Sequence, residues 1–179
     1  MLTLFCLGNP TIKHKNNRHN AGLLLGEFLV DKLELKLKKF KNFKLTNTFQ
    51  LDGHQCQIAL SENYMNESGN GILSLKTNKL SKSDEIFVLY DELDLDLGEI
   101  KIKYAGGNAG HNGLRSISSK IGDNYWKLRI GISHPGEKDK VTRHVLGNFK
   151  VDEKKKLFLL FEVISVSYTH LTLPTIWQV

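Results

Sequence analysis

The chain has 179 residues, with 25 Lys and Arg against 19 Asp and Glu and a formal net charge of +6. At roughly 150 residues per domain, this is one domain with at most a small appendage. Two cysteines, Cys6 and Cys56, cannot build a disulfide scaffold, and three prolines with 25% charged residues argue against disorder. The longest apolar run, LFLLF at 157–161, falls far short of the roughly 20 residues that span a bilayer. MLTLFCLGNP offers neither a basic leader nor a small-residue cleavage site, so no secretion signal is expected. A basic balance hints only at an anionic partner.

In chain order, Leu2–Leu7 reads as a short buried strand ending at Gly8-Asn9-Pro10. After a polar stretch, Ala21–Leu37 turns helical, with Leu24, Phe28, Leu29, Leu33 and Leu35 roughly on one face. Phe43–Leu51 and His54–Leu60 read as strands about an Asp52-Gly53 hairpin turn. Met65–Leu80 is expected to be helical, Glu85–Tyr90 a buried strand, and Ile100–Tyr104 a half-exposed strand alternating with lysine. Asn112–Ile121 suits a helix, Lys127–Ile132 a strand, and Asp152 to about Val163 an amphipathic helix. The lysines between 32 and 44 read as a solvated face, or else as non-specific phosphate contacts whose binding falls steeply with salt. Glu92, Asp94 and Asp96 read as a solvated acidic loop. Strands alternating with helices predict a single three-layer α/β domain, a mixed twisted sheet with helices on both faces.

Unusual polar residues gather just after the predicted strands. Asn9 follows the first, with Arg18-His19-Asn20 at the start of the first helix. Asn63-Tyr64-Met65-Asn66, Asp91-Glu92 and the glycine stretch Gly106–Gly113 follow later strands. Ligands of open α/β sheets bind outside the carboxyl ends of strands, so these loops are expected to converge. His19 suits a general base near neutral pH. Asp91 could fix its tautomer by accepting from the other ring nitrogen, and the amides of Asn9, Asn66 and Asn112 could steady a carbonyl or an oxyanion. No G-x-S-x-G elbow is present and neither cysteine is near, which leaves water as the nucleophile. The glycine stretch matches no nucleotide-binding fingerprint. A glycine-rich loop opening a helix can nevertheless hold phosphate on free N–H groups, and Lys101, Lys103 and Arg115 flank it.

The segments LGNP and RHNAG (7–10, 18–22), YMNESG (64–69), DELDLDLG (91–98), GGNAGHNGL (106–114) and LRIGISHPG (128–136) resemble the bacterial peptidyl-tRNA hydrolase family. VTRHVLGNF (141–149) resembles its next block. The match covers roughly residues 1–160. It implies a monomeric, cofactor-free and metal-free cytoplasmic esterase, with no membrane and no obligate protein partner, that cleaves peptide or N-blocked aminoacyl groups from tRNA. By the same resemblance His19 matches the catalytic base and Asp91 the carboxylate that orients it. Asn9, Asn66 and Asn112 match residues that bind the peptidyl backbone and the tRNA 3′ end, Asn112 or Asn66 serving as oxyanion donor. Met65 matches a wall of that pocket, and His111 a gating or binding position. Lys103 and Arg129 match basic residues that hold the tRNA 5′ phosphate.

Some positions depart from the family pattern. Thr11 stands where glycine is usual, GGNAG replaces the commoner histidine-containing run, and His14 replaces a tyrosine, where its ring could still stack on a base. The segment SYTHLTLPT (167–175) has no helical period and resembles a translated cloning adapter, so the domain is expected to be 1–166 with an off-pattern, non-native tail at 167–179. Two rival functions differ in class. A non-catalytic RNA-binding module on the same fold would lack turnover. A metal-dependent hydrolase using His19, Asp91 and His111 would be sensitive to chelators, although no H-x-x-x-H or H-x-x-E-H spacing supports it.

Overall fold

The computed structural model describes residues 1–51, 53–82 and 85–170, the last five by backbone alone. In chain order the elements are β1 (Leu2–Cys6), α1 (Ala21–Lys32), β2 (Leu37–Lys39), β3 (Phe43–Thr46), β4 (Phe49–Leu51), β5 (His54–Ser61) and α2 (Ser68–Thr77). Then follow β6 (Ile86–Glu92), β7 (Ile100–Tyr104), α3 (Asn112–Ile121), β8 (Trp126–Gly131), α4 (Val141–Val145) and α5 (Val151–His170). The strands make one sheet ordered β2-β3-β5-β1-β6-β8-β7, with β4 pairing β5 beside that path. β1, β5, β6 and β8 pair in parallel, and the outer strands run antiparallel.

β6, in the interior of the sheet, is buried along its whole length because helices cover both sides. Phe87 and Leu89 of β6 join Leu24 and Leu29 of α1 and Leu157 and Phe161 of α5 in one core. Ile86, Val88 and Tyr90 point the other way, onto Ile72 and Leu75 of α2 and Leu114 and Ile117 of α3. The expected three-layer α/β architecture with a mixed sheet is therefore the one observed. Both sheet edges carry lysine, at Lys38 and Lys39 of β2 and at Lys101 and Lys103 of β7, which discourages edge-to-edge pairing.

Several boundaries differ from the sequence reading, each for a local reason. α1 stops at Lys32 because Glu34 takes a left-handed conformation, φ 51°, and Leu35 N–H donates back to Val30 O at 2.9 Å. Leu33 and Leu35 thus lie beyond the helix. The stretch 43–51 splits in two, since the register against β5 slips by one residue between Leu45↔Ala59 and Phe49↔Cys56. Thr46 Oγ1 takes up the Ile58 N–H beside this bulge, at 2.9 Å. Asp52 lies outside the described residues, while Leu51 pairs with His54 across the turn. The segment 65–80 opens as a 3-10 turn, Met65–Glu67, before α2. Asp91 and Glu92 belong to β6 itself. α5 continues to His170, past the expected change of pattern at 166, and 171–179 lie outside the described residues.

Candidate active site

His19 sits in a single 3-10 turn, Arg18–Asn20, directly ahead of α1. Gly22 explains how α1 comes so close to β6: a Cβ there would stand 2.1 Å from the Leu89 carbonyl oxygen. Only hydrogen fits, and the approach carries His19 to Asp91, two residues further along β6. Arg18 braces the same turn. Its Nη2 donates to Glu153 Oε2 at 2.6 Å, its Nη1 to His144 O at 3.3 Å, and its backbone N–H to Gly147 O at 3.0 Å. Glu153 also accepts from Lys150 N–H at 2.7 Å, so one carboxylate caps α5 and holds the residue beside the base.

His19 Nδ1 lies 2.9 Å from both oxygens of Asp91. An ionised carboxylate only accepts, so the imidazole proton sits on Nδ1 and the lone pair on Nε2. His19 lines a cleft of about 690 Å³, and its Nε2 has no protein partner among the described residues. Burial works against the imidazolium, but the charge and hydrogen bond of Asp91 outweigh it and hold His19 above the ordinary imidazole value. Burial likewise opposes the Asp91 charge, yet His19 and His111 keep its carboxyl well below the usual range.

His111 is the second donor to that carboxylate, Nε2 to Oδ1 at 3.0 Å. Its Nδ1 accepts the Leu114 N–H at 3.3 Å and caps α3, which fixes the proton on Nε2. Neither ring nitrogen is left for substrate. His19, Asp91 and His111 bring ligand atoms within 4.8 Å of one another, but both nitrogens facing the carboxylate carry the protons of its hydrogen bonds. An ion bound there would have to break both bonds. Dialysis against a transition-metal chelator is therefore expected to leave turnover within twofold, and activity lost on chelation and restored by zinc would contradict this arrangement.

Carboxamides line the same cleft. Asn9 Oδ1 accepts from Met65 N–H at 2.9 Å, which leaves Asn9 Nδ2 as a donor with no partner among the described residues, and Asn20 locks the Asn9 backbone from both sides. Asn66 and Asn112 line the cleft with no side-chain hydrogen bond among the described residues, and buried Met65 forms part of its wall. The structure thus brings Asn9, His19, Met65, Asn66, Asp91, His111 and Asn112 together. It leaves three expected residues outside. His14 bonds Asn17 at 2.9 Å and does not line the cleft. Lys103 and Arg129 lie on β7 and β8 near the sheet edge, where Arg129 Nε donates to Glu92 Oε2 at 2.9 Å.

Two site features run against the sequence reading. Glu92 is buried rather than solvated, bonded to Arg129 and to the Tyr90 hydroxyl. β7 is antiparallel to β8 and Tyr104 pairs with Trp126, so the glycine loop leaves the sheet at the edge opposite Asp91. It returns along the α2–α3 face, where His111 packs edge-on to Tyr90 at 5.1 Å. Val141, Val145 and Leu146, in the VTRHVLGNF block to which the sequence reading gave no role, add an apolar flank to the cleft; the i, i+4 spacing of Val141 and Val145 was the available signal.

A cleft-facing imidazole backed by a buried carboxylate and ringed by neutral amides is the equipment of a hydrolase that activates water. The family model described as Peptidyl-tRNA hydrolase matches residues 3–173. Peptidyl-tRNA hydrolase of Acinetobacter baylyi is 40% identical over 149 residues, 83% of this chain and 77% of that protein. The Parvibaculum lavamentivorans protein of the same name is 40% identical over 154 residues, 86% of this chain and 75% of its own length. A crystal structure of peptidyl-tRNA hydrolase from Acinetobacter baumannii superposes with a TM-score of 0.85 at 34% identity, covering 94% of this chain and 86% of that one. The chain belongs to the peptidyl-tRNA hydrolase family.

Proposed function

We propose that the protein hydrolyses the ester joining a peptide, or an N-blocked aminoacyl group, to the 3′ end of tRNA, and so returns stalled tRNA to translation. The observation that carries this reading is the His19–Asp91 pair, with Nδ1 held at 2.9 Å and Nε2 open to the cleft. Neutral His19 removes a proton from water, and the hydroxide oxygen attacks the ester carbonyl. Asp91 stabilises the imidazolium that forms. The tetrahedral oxyanion is met by the amide of Asn112 or Asn66, with Asn9 Nδ2 holding the peptidyl backbone. As the C–O bond breaks, the ribose oxygen leaves with the proton from His19 Nε2. His111 acts through Asp91, and Lys103 and Arg129 hold a tRNA phosphate outside the cleft.

In this proposal the protein works as a monomer in the cytoplasm without cofactor or metal. Among the described residues, no helix is long and apolar enough to cross a membrane. The working domain is residues 1–166, and sequencing the source locus tests whether 167–179 belong to it. The function itself is tested with N-acetyl-aminoacyl-tRNA. Release of free tRNA and the N-acetyl amino acid over many turnovers is expected. Tight binding without release would point instead to an RNA-binding module.

A further inference from the structure

Lys127 of β8 is buried, and its ammonium is directed at backbone rather than at a carboxylate. Nζ donates to the carbonyl oxygens of Ala105, at 3.2 Å, and Gly106, and stands 4.7 Å from the centre of the Tyr125 ring. A desolvated cation needs such acceptors, so both carbonyls are held inward. In a planar trans peptide the N–H points opposite to the C=O. The N–H groups of those two peptide units, belonging to Gly106 and Gly107, therefore point away from Lys127. Neither has a partner among the described residues.

Ala105 and Gly106 make a turn with positive φ, 58° and 88°, and with both carbonyls held on Lys127 the neighbouring N–H groups face outward together, a turn geometry able to take an anion. Lys103 stands beside it: a Cβ on Gly106 would lie 2.9 Å from the Lys103 ammonium. The loop is fixed on either side. Ala105 N–H donates to Tyr125 O at 3.0 Å, and Ser118 Oγ donates to Asn108 Oδ1 at 2.9 Å. We propose that Lys127 is a positioning residue that turns the Gly106 and Gly107 amides outward as a phosphate-binding nest, completed by the Lys103 ammonium. The inference rests on the hydrolase reading, since the anion is a phosphate of tRNA, either the 5′-terminal one or a phosphodiester of the acceptor strand.

The test is binding of deacylated tRNA, with and without its 5′ phosphate, across a salt series. Lys127→Met keeps the packing on Tyr125 and removes the hold on the carbonyls. Gly107→Pro removes one outward N–H, and a Cβ at that position would meet nothing within 4 Å beyond its chain neighbours, so it decides the matter even if Lys127→Met fails to fold. Both should weaken binding about tenfold, and because a backbone N–H carries no formal charge the slope of log Kd against log salt should change by less than about one. Lys127→Arg should restore binding, and kcat at saturating substrate should stay within twofold throughout. If the 5′ phosphate is the ligand, its removal weakens wild type and adds nothing to Lys127→Met; if a phosphodiester is, the two losses add. Unchanged affinity in both variants would overturn the proposal. Wild-type protein that neither binds nor hydrolyses would remove the hydrolase reading instead.

Discussion

Replacing His19 by alanine should lower kcat for release of an N-acetyl-aminoacyl group from tRNA by about 10³–10⁴-fold, the upper range for loss of a positioned general base. That corresponds to about 4–5.5 kcal/mol of barrier. Affinity for deacylated tRNA should change by less than about threefold, because neutral His19 offers its partner a single lone pair while phosphate contacts dominate tRNA affinity. Among the described residues its side chain hydrogen-bonds only Asp91 and packs on the His111 ring at 4.9 Å, and truncation leaves the carboxylate still bonded to His111 at 3.0 Å. The fold should therefore survive, and thermal unfolding checks that it does. A variant with wild-type turnover would remove His19 from the chemistry.

Asp91→Asn should cost about 10²–10³-fold in kcat, less than loss of the base itself, and should move the pH profile. The carboxylate is what keeps the Nδ1 proton in place. An amide can donate to Nδ1 as readily as accept from it, which lets the ring adopt the tautomer with its proton on Nε2, where no base remains. The sign of the pH effect follows from the same contacts. Burial disfavours the imidazolium and the Asp91 charge and hydrogen bond favour it, with the second winning. The base works when neutral, so wild-type kcat/KM should fall as pH drops through a midpoint above the ordinary imidazole value. Without the carboxylate charge, burial acts alone and the midpoint should move toward acid. An unmoved midpoint would mean that another group governs the profile.

How much of this was legible beforehand differs by element. β7 and α3 fall on their expected residues, because lysine alternation and an amphipathic turn pattern are local signals. Pairing of His19 with Asp91 spans 72 positions, and no spacing rule reaches that far; the convergence of loops that follow strands suggested it, and the RHNAG and DELDLDLG resemblances carried it. Glu92 was misread because its solvation depends on Arg129 from the neighbouring strand. Lys127 stayed hidden for a related reason. Its strand alternates like any half-exposed one, and only the returning glycine loop decides that its polar face meets carbonyl groups instead of water. The antiparallel direction of β7 was equally invisible, although it determines the route by which His111 reaches Asp91.

The central claim is that His19, neutral and proton-bearing at Nδ1, is the base. Nitrogen-15 NMR of the histidine rings across a pH series measures this most directly. The Nδ1–H tautomer is predicted at high pH, with a His19 titration midpoint above the ordinary imidazole value that coincides with the acid limb of kcat/KM. A ring protonated on Nε2 at high pH, or a midpoint that does not follow the rate, would contradict the account.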